Sequence, residues 1–488
     1  MTDQSRSLQA TAPQRLHGLA FAVWAFALAV GVLIHEWQRA QPPLSTTGLT
    51  VVLAVGVLLR PWSVVRIMAL LASMALELVA DLPNVFNHTL VIGVVSITLL
   101  VWWLFALVRS SDRARDPRFV FASIAPFLRA AFVIVLFSAA ISKLNTGFFD
   151  ASTTCAVWIL DAIPFVSIPG GLAGLMIVGG VLVEFAIPTL LLFRRTRFLA
   201  ILVGMGFGVV TALAGHAPFA GFGWSFYLLF ITPATLGRVL VTLRRALPAQ
   251  IRGGLAAASS SPVGWLVLGA AALLVMGFMQ LLPTDLVGIA KRYGATLAFC
   301  LWTLAWAVLL LMNWRHWFRP PPLTWGRFGA GHVVFAVALL LVVLNAASPY
   351  LGLKTRFSFT MFSNLQTEPG RWNHVVIPEA IRIFGLQDGL VRFDEVSDPA
   401  LAAQLDFYTG RKRTSSGAVT GDALGMPLLA AQRVASYFPD ATITYQYDGK
   451  TYVAAPVSSD PILGVSVPYL VQKLGGFRPL DALDTCQL

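Results

Sequence analysis

Apolar residues in this chain come in long unbroken runs, not in the narrow stripes of a helix lying on a soluble core. A run of about 20 apolar residues is what a helix needs to cross a hydrocarbon layer of ~30 Å. Read this way, the sequence predicts eleven spans: Leu16–Trp37, Thr46–Leu59, Trp62–Ala80, Phe86–Val108, Phe119–Ser142, Gly171–Phe193, Phe198–Gly215, Phe222–Leu243, Val263–Leu282, Tyr293–Trp314 and Arg327–Asn345. The second is short, so it is expected to tilt with its neighbour or to be re-entrant. Between the fifth and sixth spans, Phe148–Pro169 is too polar to cross, and Ala151–Leu160 is expected to lie at the surface as an amphipathic helix. Ala256–Ser261 reads as a short linker of small residues.

After the last span the pattern changes. Ser348–Leu488 has no run long enough to cross, and it alternates as short strands do. Candidate strands are Arg356–Met361, His374–Ile377, Gly389–Phe393, Thr442–Tyr447 and Thr451–Ala455, with Asp448-Gly449 as a hairpin turn. Candidate helices are Pro399–Tyr408 and Pro427–Phe438. The expected fold is an all-α multi-span membrane bundle of about eleven helices with a small C-terminal α+β extracytoplasmic domain. Its divisions are a cytoplasmic tail 1–15, a transmembrane domain 16–347 and a soluble domain 348–488.

Composition agrees with the pattern. The 488 residues are 57% hydrophobic and only 12% charged, which excludes an ordinary soluble domain. The net charge of +12 does not indicate nucleic acid, because the basic residues sit in short loops where they orient spans. With the N-terminus inside, 18 arginines fall on the inner side, against four basic residues outside: Arg39, Lys143, Lys291 and Arg292. That bias places the C-terminal region outside a bacterial inner membrane, with the lipid bilayer as the first partner. The polar N-terminus lacks a signal-peptide cleavage pattern, so the first span is expected to stay. Arg411-Lys412-Arg413 reads as a solvated turn. Cys155, Cys300 and Cys486 are far apart with no CxxC pair, so neither thiol–disulfide exchange with a quinone nor a cysteine metal site is expected.

The same topology gathers polar residues on the outer face. Lys143 ends the fifth span, Asn87 and His88 open the fourth, His216 ends the seventh, and Glu77 and Asp81 lie at the end of the third. Lys143 either snorkels into the headgroups or sits in a pocket, where withdrawal from water lets a lysine act as a base near neutral pH. Histidine needs less tuning, with an ordinary pKa of ~6.5. His88 and His216 can equally be interface residues, and Asn87 a helix cap. Asn145 and Asn87 can hold either group or a ligand oxygen by neutral hydrogen bonds. Arg129 and Glu184 fall near mid-membrane and are expected to pair with each other or with other helices.

Three stretches carry a resemblance. FSAAISKLNTGFFD (137–150) places small residues, then Lys-Leu-Asn, then an aromatic pair. FNHTLVIGVVSITLL (86–100) opens a span with Asn-His, and GHAPFAGFGWSFYLLFITP (215–233) leads from a histidine into another. In order and rough spacing they resemble the HTTM (horizontally transferred transmembrane) family, to which the membrane part of vitamin K-dependent gamma-glutamyl carboxylase is related. The resemblance covers about Leu16–Leu243. It implies a reduced quinone (a vitamin K-like hydroquinone) as cofactor, a carboxylase or oxygenase-like activity, and no metal. It implies Lys143 as the catalytic base, His88 as the residue that orients or polarises the quinol, and Asn87, Asn145 and His216 in binding. A peptide or protein substrate would then meet the outer face. The chain departs from the carboxylase in having only about 140 residues outside. The competing expectation is a non-catalytic scaffold or transporter whose outer domain binds a partner.

Overall fold

The computed structural model describes residues 12–39, 42, 45–83, 85–163, 166–246, 248, 250, 262–281, 283–317, 326–402, 425–478, 480 and 486. Among the described residues, six helical stretches are long and apolar enough to cross a membrane by length and composition, one of them Arg197–Leu228, which bends at Gly215, and three further apolar helices are shorter. Leu175, Val178 and Leu182 of the helix Ala173–Leu192, and Val333, Leu340 and Leu341 of Val333–Ala347, are each more than half exposed. Apolar surface of that kind belongs in lipid. The chain is therefore a largely helical multi-span membrane bundle with a small β-containing region at its C-terminal end.

The helices start and stop close to where the hydrophobic runs do: Ala12–Arg39, Thr46–Leu59, Val64–Asp81, Asn87–Arg109, Pro117–Ile141, Ala173–Leu192, Arg197–Thr211, Pro262–Leu281 and Ala295–Met312. The expected eighth span, Phe222–Leu243, is not one helix. It divides into Ala217–Leu228 and Pro233–Ala246. Pro233 lacks an N–H and favours the first position of a new helix, and the Thr232 hydroxyl caps that helix by accepting from the Thr235 N–H at 3.2 Å. The expected eleventh span starts late, at Val333, because Gly329 (φ 152°) and Gly331 (φ 58°) hold the preceding chain outside helical geometry. The linker Ala256–Ser261 lies outside the described residues.

Arg197–Thr211 and Ala217–Leu228 form a helical hairpin. At its tip Gly215 has φ 100°, a left-handed conformation that ends the first arm. Gly204 abuts the Tyr227 ring and Gly208 lies against Ala220, the antiparallel register of two arms folded together. The second arm packs on the first span through glycines. A Cβ at Gly31 would stand 2.9 Å from the Gly221 carbonyl oxygen. Small residues let the two backbones approach, which is how helices associate when lipid offers no hydrophobic drive between them. Phe132 stacks on Phe226 at 4.9 Å, and the Trp224 indole N–H donates to the Thr303 hydroxyl at 2.9 Å within the bundle.

The C-terminal region packs on the end of the bundle that carries Lys143. Lys473 Nζ donates to the Leu82 carbonyl at 3.0 Å, and Cys155 is disulfide-bonded to Cys486. Four antiparallel strands, β1 (Leu390–Val396), β2 (Gly425–Pro427), β3 (Ile443–Tyr447) and β4 (Lys450–Ala454), lie in the order β2-β1-β3-β4. Val391, Phe393, Ile443 and Tyr445 pack beneath the helix Leu428–Ser436. Asp448 (φ 51°) and Gly449 (φ 70°) make the expected two-residue hairpin turn. The helix expected at Pro399–Tyr408 is helical from Pro399 and leaves the described residues after Ala402. Arg411-Lys412-Arg413 lies outside them. The surface helix is Cys155–Asp161, capped by Thr154.

Two expected strands are absent. Arg356–Met361 has left-handed backbone at Phe357 (φ 59°) and Phe359 (φ 60°), and among the described residues no strand pairs with it. His374–Ile377 makes a single bridge, from His374 to Asn145. Each segment reaches the bundle instead of a sheet, the Phe359 N–H donating to Asn87 Oδ1 and the Val375 N–H to the Leu144 carbonyl.

The glycine contact gives a test. Gly31→Val forces a Cβ into backbone and is expected to destabilise by about 1–3 kcal/mol. Gly206→Val, where nothing lies within 4 Å, is expected to leave the thermal unfolding of the purified protein unchanged.

Candidate functional site

The helix Pro117–Ile141 delivers Lys143 and Asn145 just past its end, and both are buried. Lys143 does not snorkel. Its Nζ lies 2.8 Å from Glu184 Oε2 and donates to the Met361 carbonyl at 2.7 Å, with the Phe148 ring 5.8 Å away. Arg129 and Glu184 thus do not pair with each other; each is tied to chain at or beyond the ends of other helices. Arg129 Nε donates to the Leu229 carbonyl at 2.9 Å and Nη1 to the Arg327 carbonyl at 3.2 Å.

Asn145 is a structural junction. Its Nδ2 donates to the Ser142 carbonyl at 2.7 Å and to the Ser363 carbonyl, and its Oδ1 accepts from the Phe148 N–H at 2.8 Å. These bonds fix the segment after the last span across the mouth of the bundle. The Phe359 N–H donates to Asn87 Oδ1 at 2.8 Å, and His374 Nε2 meets the Ile141 carbonyl at 3.0 Å.

Under that segment lies a chamber of about 290 Å³, with Asn87, His88 and His216 on its walls. Met361 and Phe362 cover it, and Phe86, Pro218 and Phe219 add apolar surface. Phe86 stacks on His88 with ring centres 5.6 Å apart, and His216 lies 4.7 Å from the Phe362 ring. His35 Nε2, His88 Nε2, His216 Nε2 and Gln38 Oε1 are buried with no hydrogen-bond partner. A buried polar atom without a partner costs about 1–3 kcal/mol, so four around one small space make it the candidate site for a polar ligand. The histidines do not form, among the described residues, a group that could hold a metal ion.

The chamber thus brings together Asn87, His88 and His216. It does not include Lys143 or Asn145, which instead hold the covering segment through the Met361 and Ser363 carbonyls. Sequence reasoning missed His35, Gln38 and Arg39, which line the chamber from the first span. Their spacing was the available signal: His35 and Arg39 are i, i+4, one face at the end of an otherwise apolar helix. Arg39 Nη1 pairs with Asp81 Oδ2 at 2.9 Å and approaches Glu77 Oε2 at 3.7 Å, while Thr50 donates to Glu77 Oε1 at 2.7 Å. The carboxylates Glu77 and Asp81 therefore hold the chamber's guanidinium in place. Gln38 Nε2 donates to the Gly215 carbonyl at 2.8 Å, tying the first span to the tip of the hairpin.

No protein-family model, curated protein or solved structure matches the chain. The helices, their lipid-facing surface and the β-containing region show a multi-span integral-membrane protein. The likeness to the HTTM family rests on the three quoted stretches alone.

Lys143→Met leaves the Glu184 carboxylate in apolar surroundings without its cation. The expected cost is about 3–5 kcal/mol, read as a lowered thermal midpoint in detergent. Lys143→Met combined with Glu184→Gln is expected to recover most of it, because no uncompensated charge remains.

Proposed function

We propose that the protein is a membrane enzyme that moves a proton on a ring-shaped, lipid-soluble hydroxyl compound of the reduced-quinone class. The observation that carries this reading is the pair of partnerless imidazole nitrogens, His88 Nε2 and His216 Nε2, buried in an apolar chamber. Ligand sites are commonly of this kind: concave, largely apolar, with a few convergent polar groups. A bound hydroquinone supplies an acidic phenolic hydroxyl and two reducing equivalents.

The protein's part is as follows. His88, held flat against Phe86, accepts the hydroxyl proton. His216 is the second acceptor. Asn87 Oδ1 is engaged by the Phe359 N–H, which leaves its Nδ2 to donate to a ligand oxygen. The Arg39 guanidinium favours the negative charge that develops when the proton leaves. Lys143 acts as a positioning residue. Its ammonium holds the Met361 carbonyl and faces Glu184, so it builds the chamber wall.

Two observations favour an extracytoplasmic chamber and C-terminal region. The basic residues crowd the opposite end of the spans, and the Cys155–Cys486 disulfide suits an oxidising compartment.

The test is consumption of a borohydride-reduced naphthoquinone by the purified full-length protein in air. His88→Ala and His216→Ala are each expected to lower turnover, His88→Ala by about 10²–10⁴-fold, with unfolding unchanged. Folded variants that turn over at the parent rate would remove the imidazole assignment. A parent protein that neither consumes nor binds the quinol would return the chain to the scaffold or transporter class.

A further inference from the structure

A second cavity, of about 410 Å³, lies at the opposite, basic end of the spans, where the helices Asn87–Arg109, Pro117–Ile141 and Val333–Ala347 meet. Its wall is aromatic. Trp102 stacks on Phe119 at 6.1 Å and on Phe335 at 5.6 Å. Phe105 and Phe119, at 51% and 37% exposed, carry that wall out onto the lipid-facing surface.

The polar side of the cavity is cationic. Arg109 and Arg113 line it, and neither forms an ion pair among the described residues, whereas nearby Arg118 is engaged by Asp116 at 2.9 Å. His332 also lines it. Its Nδ1 accepts the Val334 N–H at 3.3 Å, so in the neutral ring the proton resides on Nε2, a donor. Two arginines and an imidazole donor beside an aromatic wall open to the bilayer suit one ligand shape: a phosphate head with an apolar tail. A bare anion would leave the aromatic wall without a partner. A zwitterionic head would set a second cation against the arginines.

The geometry points to a binding site for one anionic phospholipid, its phosphate held by Arg109, Arg113 and His332 and its chain laid along Trp102, Phe105 and Phe119. The site is independent of the chamber and of the chemistry proposed there. Basic pockets between helices at a membrane surface recognise anionic headgroups by this combination, at about 1 kcal/mol for each basic side chain.

The experiment is native mass spectrometry of the full-length protein released from detergent. The probes are short-chain phosphatidylglycerol, phosphatidylcholine of the same chain length, and inorganic phosphate as competitor. One phosphatidylglycerol is expected to be retained in preference to phosphatidylcholine. The double variant Arg109→Gln/Arg113→Gln is expected to weaken that binding about 30-fold, since two lost contacts of ~1 kcal/mol correspond to that ratio. Arg244→Gln/Arg245→Gln, elsewhere on the same face, is expected to retain it. Three results would each overturn the assignment: equal retention of the two lipids, equal loss in both double variants, or displacement of the lipid by equimolar inorganic phosphate. The last would make this a free-anion site. Unchanged thermal unfolding of both double variants keeps a loss of binding distinct from a loss of fold.

Discussion

A polar group buried in a helix bundle must find its partner within the protein, and at the Lys143 end of this bundle one buried asparagine joins three such sets of groups. Asn145 bonds its own helix end through Ser142, the next turn through the Phe148 N–H, and the chain 218 residues later through Ser363. The Thr146 N–H donates to the Asn373 carbonyl and the Val375 N–H to the Leu144 carbonyl, so the backbone follows the side chain. Without this junction the segment carrying Met361 and Phe362 has no reason to lie across the bundle. The chamber would then open to water, where unmatched imidazole nitrogens cost little and select nothing.

Holding that segment in place has a conformational cost. Phe357, Phe359, Phe362 and Asn364 all have φ between 50° and 60°, a region that bulky residues enter at about 1–3 kcal/mol each. The offset comes from contacts only this path permits. Phe359 gives its N–H to Asn87, Phe362 packs on His216, and the Asn364 side chain accepts from the Cys155 N–H at 2.8 Å. Strain concentrated in the roof of a ligand chamber means the roof is specified by its neighbours and not by its own preference.

This explains which parts of the molecule could be read in advance. Crossing helices are selected by a one-dimensional property, the length of an apolar run, so hydropathy located most of them within a few residues and failed at Phe222–Leu243, where Pro233 starts a new helix. The Asp448-Gly449 turn is similarly local. The stretch Arg356–Met361 alternates as a strand does, but alternation only says that successive side chains point to opposite sides. Whether a neighbouring strand exists is a tertiary fact, and here Asn87 takes the place a strand would have occupied. His35, Gln38 and Arg39 were hidden for a related reason. Each is unremarkable at a membrane helix end, and only the fold brings them opposite His88 and His216.

The position of Lys143 bears on how such a site can work. A lysine that serves as a base must present a lone pair to its substrate, whereas this one presents its hydrogens to Glu184 and to the Met361 carbonyl. An ammonium so engaged is a strut: it fixes the wall and balances a carboxylate that the bundle could not otherwise bury. The imidazoles are in the reverse condition: His88 Nε2 and His216 Nε2 meet no hydrogen-bond partner in the protein. Proton transfer requires a group whose hydrogen-bonding capacity is uncommitted at the moment the ligand arrives. In the proposed function the proton is therefore assigned to His88 and His216, and the lysine to the wall that holds them in place.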